Sequence, residues 1–87
     1  MSIKTTGWTK VGWGWIAQNF SPDTDRSTDL VGIMGVKGRW TVTHSAPDAM
    51  GKWGIVSETV LKDLADAKMT GRNILLIARD DARVGAR

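Results

Sequence analysis

Leu30-Val31-Gly32-Ile33-Met34-Gly35-Val36-Lys37-Gly38-Arg39-Trp40-Thr41-Val42-Thr43-His44 is the stretch that decides the fold of this 87-residue chain. Two runs rich in β-branched and apolar residues meet at Lys37-Gly38, and Gly supplies the positive φ that a two-residue hairpin turn needs. That loop pairs Val36 with Arg39, and the register runs outward from it: Trp40 faces Gly35, Val42 faces Ile33, and His44 faces Val31. One face of the hairpin is then nearly all apolar and belongs to the core. Its reverse sets Arg39, Thr41 and Thr43 against Val36, Met34 and Gly32, a mixed surface left to solvent or to a partner.

Upstream of the hairpin, Trp8 to Gln18 alternates and reads as one long strand, with Gly12 and Gly14 marking a bend. On that reading Trp13 and Trp15 stand side by side on one face, and the strand is a candidate unpaired edge. Ser21 to Asp29 is a polar loop. Downstream, residues 45–54 form a connection with one helical turn after Pro47. A helix is expected over about 58–69, with Ser57 as N-cap, Val56, Val60, Leu61 and Leu64 as its apolar stripe and Gly71 as its stop. Asn73 to Arg79 (NILLIAR) is a continuous apolar run of the kind that fills a buried strand. The fold class that follows is α+β: a small antiparallel sheet of about four strands with one helix packed on one face. The chain is expected to be a single domain, 1–87, whose last residues, about 80–87, form a short flexible basic tail.

Composition narrows the chemistry. Hydrophobic residues make up 41% and charged residues 24%, a globular balance. The chain has no Cys and one His, which removes disulfides, thiolate nucleophiles and Cys-based zinc sites. Asp23, Asp25, Ser27 and Asp29 alternate like the first ligands of an EF-hand loop, but Thr28 stands where the sharp turn needs Gly and Met34 where a bidentate Glu belongs. We therefore expect no metal, no cofactor and no enzymatic activity. Residue type alone supports no catalytic role for His44, which is read as a hydrogen-bonded residue at the end of a strand.

Twelve Lys+Arg against nine Asp+Glu give a formal charge of +3 and a pI near 9.7, a mild preference for acidic partners. All five Trp fall before residue 54, and indoles of about 150–250 Å² each are hard to hide in so small a core. Aromatic residues among basic ones suit a single-stranded nucleic acid, whose bases stack without sequence readout. The residues assigned to that role are Trp13, Trp15 and Trp40 for stacking, with Lys10, Lys37, Arg39 and Lys52 for phosphates. The alternative is a protein-interaction module, such as a small inhibitor or adaptor of the kind phages and mobile elements encode, acting on a host protein complex. A homodimer through the strand of Trp13 and Trp15 is expected, the rival being a monomer that leaves that patch free for nucleic acid or a host protein. No signal or membrane-length apolar stretch is present in these residues, so a cytoplasmic protein with no membrane partner is expected.

Overall fold

The computed structural model describes residues 3–22 and 26–85, with side chains in the final helix described as far as Asp80. Six strands precede one helix: β1 (Lys4–Thr5), β2 (Thr9–Val11), β3 (Gly14–Ser21), β4 (Arg26–Val36), β5 (Arg39–Pro47), β6 (Trp53–Leu61) and α1 (Leu64–Gly85). The strands make one antiparallel sheet, ordered β1-β3-β4-β5-β6, and β2 also pairs with β3. The fold is therefore α+β, one helix on an antiparallel sheet, with more strands than the sequence suggests.

The β4–β5 hairpin has the register read from its turn: Val36↔Arg39, Gly35↔Trp40, Ile33↔Val42 and Val31↔His44. Gly38 sits at φ 92, where an L side chain would be strained. The apolar face of this hairpin is the one α1 covers. Ala17, Val31, Ile33 and Val42 from the sheet meet Ala67 and Leu75 from α1 in the buried core, with Trp8, Trp15, Trp40, Leu61, Leu64 and Ile74 packed around them.

The helix lies elsewhere than at 58–69. Residues 53–61 form β6, and α1 begins at Leu64. Trp53, Ile55, Val56, Thr59 and Val60 are β-branched or aromatic, a bias toward strand that outweighs the 3.6-residue spacing of Val56 and Val60. The run NILLIAR is helical. Its Ile74 and Leu75 continue the inward stripe of Leu64, Ala67 and Gly71, and an apolar run of that length fits a buried helix flank as well as a buried strand. Asp63 opens the helix, its carbonyl accepting from the Ala67 amide at 3.0 Å, and Asp66 lies in the first turn.

Gly71 does not end the helix; it sits buried in its middle. A Cβ there would stand 2.7 Å from Cη2 of Trp8 and 2.9 Å from Cγ1 of Val31, so Gly is what lets the indole lie flush on α1. The same indole lies just beyond the break between β1 and β2. Residues 80–85, read as a tail, continue α1, and 86–87 lie outside the described residues.

Three further expectations change. Residues 8–18 are not one strand, because the chain turns at Gly12-Trp13 and pairs Val11 with Gly14 as a tight hairpin. β3, which carries Trp15, is flanked by β1 and β2 on one side and β4 on the other, so it is no open edge. The connection after Pro47 holds no helical turn; Asp48 closes it instead, its Oδ1 accepting from the amides of Met50 and Lys52 at 2.9 Å each.

Candidate interaction surfaces

Because α1 covers one side of the sheet, the side chains of opposite parity are left bare. The register lines them up across the strands as Ile16, Gly32, Thr43 and Glu58; then Gln18, Leu30, Ser45 and Ile55; then Gly14, Met34, Thr41 and Val60. Met34 is 48% exposed, Ile55 67% and Val60 52%. This open face is mostly apolar and hydroxyl-bearing. Its strand positions carry two cations, Arg39 at the hairpin tip and Lys4 opposite Phe20 at the far edge, and one anion, Glu58, near the middle.

Trp13 joins this face from the β2–β3 turn. A Cβ at Gly32 would meet Cη2 of the Trp13 ring at 3.1 Å and Cζ3 at 3.4 Å, so the indole edge rests on the bare backbone there. Half of Trp13 stays exposed. Between it and Ile55 runs a groove of about 400 Å³, lined by Trp13, Leu30, Met34, Thr43, Ser45 and Glu58 over the Gly32 floor. A groove walled by an indole and aliphatic groups, with two hydroxyls and one carboxylate, can hold an apolar side chain and orient a neighbouring donor or cation.

The residues that the sequence assigns to one platform are dispersed. Trp15 and Trp40 point to the opposite side of the sheet and pack against the core under α1. The face of Trp15 is taken: the Nζ of Lys68 lies 3.6 Å from its ring centroid, and that of Lys10 5.6 Å away. Lys37 and Arg39 stand at the tip of the β4–β5 hairpin, while Lys52 stands in the turn that follows β5. Only Trp13, with Arg39 at the far end, belongs to the open face. Glu58 and Val60 escaped sequence reasoning because they were given to a helix, and Ile55 because it fell between the 45–54 connection and that helix. Met34 and Gly32 were legible as the reverse of the hairpin.

A second surface follows α1. At 100° per residue, Lys68, Arg72 and Arg79 fall within about 40° of one another on the helix. Two of them touch the first strands: Lys68 caps Trp15 of β3, and Arg79 Nη1 approaches Thr5 Oγ1 of β1 at 3.4 Å. Lys10 adds a fourth cation from β2.

The polar groups under α1 are structural. His44 Nε2 and Asp29 Oδ1 lie 2.8 Å apart, both nearly buried. Asn19 donates through Nδ2 to the Leu75 carbonyl at 2.7 Å and accepts from the Thr5 hydroxyl at 2.6 Å. On the open face, Ser27 donates to the side-chain oxygen of Gln18. Two members of the alternating Asp/Ser series are thus engaged in separate contacts, and Asp23 and Asp25 lie outside the described residues. Among the described residues no helix is long and apolar enough to cross a membrane. In comparisons with known proteins, no family model, no curated protein and no solved structure matches the chain.

Proposed function

We propose that the chain is a non-enzymatic protein-interaction module that holds an apolar segment of a partner protein in the groove between Trp13 and Ile55. The observation that carries this reading is the bare sheet face itself: exposed Trp13, Met34 and Ile55 line one groove, with exposed Val60 further along the same face, the kind of apolar surface that marks a docking site. Trp is among the residues that dominate binding energy at protein interfaces. Glu58, the one charge lining the groove, repels phosphate and favours a partner segment with Lys or Arg beside its apolar anchor.

The test is selection of short displayed peptides on the immobilised chain. Enriched peptides are expected to combine one large apolar residue with an adjacent basic one. Trp13→Ala should weaken their binding about tenfold or more, and Glu58→Gln should relax the requirement for the basic residue. Peptides that bind Trp13→Ala as tightly as the parent chain would sink the groove as the site.

A nucleic-acid strand is the second reading, and the observation that favours it is the basic flank of Lys10, Lys68, Arg72 and Arg79. It would use phosphate contacts without stacking on Trp15, whose ring is already covered. Titrating tryptophan fluorescence with a single-stranded oligonucleotide at two salt concentrations separates the two. Salt-steep binding that is lost in Lys68→Ala/Arg72→Ala and kept in Trp13→Ala would move the function to that flank.

A further inference from the structure

We propose that two copies of the chain pair through the outer edge of β6, extending the sheet across a two-fold axis at Thr59. This interface lies along the outer backbone edge of β6 and shares Glu58 and Val60 with the open face, but its strand pairing does not depend on what the groove binds.

β6 closes the sheet at one end, so among the described residues the backbone groups on its outer side have no strand to pair with. Edges of this sort are usually shortened, charged or covered. β6 is nine residues long, its residues Trp53 to Val60 are all exposed, and Glu58 is its single charge. Trp53 is 44% exposed and Val56 60%, in addition to Ile55 and Val60. The opposite edge is a poor template by comparison, because it is broken into two strands of two and three residues.

The sequence of β6 complements itself. A bulge at Val56 interrupts its pairing with β5, since His44 faces Ser57 and Ser45 faces Ile55. Beyond the bulge, Ser57 to Leu61 is a regular five-residue segment. An antiparallel two-fold at Thr59 sets Thr59 against its own copy, Glu58 against Val60 of the second copy, and Ser57 against Leu61. Each residue then meets one of the same face, as a sheet requires. Paired threonines are a favourable cross-strand combination, and the carboxylate of Glu58 gains Lys62 of the second copy at a diagonal position. Paired over these five residues, a strip about 17 Å long and about 15 Å deep buries about 250 Å² per copy, or ~500 Å² in total, the scale of a weak contact that forms only at high protein concentration. The second copy is the occupant because the edge needs only its own sequence to be matched.

Sedimentation of the full chain at about 100 µM tests the state, and an engineered thiol tests the place. The chain has no Cys, so Thr59→Cys carries a unique thiol on the proposed axis and Val36→Cys a control at the hairpin tip. We expect a species of twice 9.5 kDa, rapid linkage of Thr59→Cys by oxidation or a short thiol-bridging reagent, and slow linkage of Val36→Cys. Val60→Glu, which opposes Glu58 of the second copy, should return a folded monomer. A parent chain that stays at 9.5 kDa overturns the proposal. So does a dimer in which Thr59→Cys links no faster than Val36→Cys, or one that Val60→Glu leaves intact, since either places the interface elsewhere.

Discussion

Gly71 reverses an ordinary expectation about helices. In an exposed helix interior, Gly→Ala gains about 0.8–1 kcal/mol from propensity alone. Here the added methyl would enter the Trp8 ring at 2.7 Å and the Val31 methyl at 2.9 Å. Overpacking of this kind costs about 1–3 kcal/mol. Gly71→Ala is therefore expected to destabilise the protein by about 1–2 kcal/mol in urea titration, and a gain in stability would mean that Trp8 does not lie on α1. The turn at Lys37-Gly38 shows the opposite situation, a glycine whose reason is visible in the sequence. Gly38 announces a positive φ through its neighbours alone, whereas Gly71 answers to an indole more than sixty positions away. Local chemistry is legible in a single chain; a contact that closes only on folding is not.

At the scale of the elements, the two helix assignments separate cleanly in one pair of variants. If the helix ran from 58 to 69, Leu64 would be its central buried residue. In α1 it is the first residue and half-buried, and Leu75 is fully buried in the core cluster. Leu75→Ala should cost about 2–5 kcal/mol, and Leu64→Ala distinctly less. Equal losses in thermal melts would argue against this packing. The segment misread as the start of a helix, Glu58 to Leu61 with Val56 added to its stripe, illustrates why short amphipathic stretches mislead: Val56, Val60 and Leu61 satisfy helical spacing, yet Val60 and Leu61 pair with β5 once Val56 is admitted as a bulge. Bulges have no sequence signature of their own, and they reverse which residues share a face. The candidate site suffered in proportion. Its hairpin half, Gly32 and Met34, followed from register, and its β6 half, Ile55 and Glu58, did not.

At the scale of the whole molecule, the protein is asymmetric in what it buries. The apolar core lies on one side of the sheet, and among the described residues the other side has no layer over it. A two-layer fold of 87 residues is small enough that an added interface forms a large share of its stability. Thermal unfolding should therefore depend on protein concentration, with the midpoint rising by several degrees between about 2 and about 200 µM, because mass action favours the associated native state. A midpoint independent of concentration over that range would mean that the folded monomer needs no second copy.

The hydrogen bonds that tie α1 to the first strands span 56 positions from Asn19 to Leu75 and 74 from Thr5 to Arg79. Every strand is therefore synthesised before the element that covers them. At ribosomal speeds of about 5–20 residues per second, the 22 residues of α1 take roughly one to four seconds to translate. Until α1 seats, the face it covers is open, with Trp8, Trp15 and Trp40 among the groups laid bare. A chaperone that binds aromatic stretches would meet its best target in this brief window, and release would come when the last turns of α1 seat on the sheet.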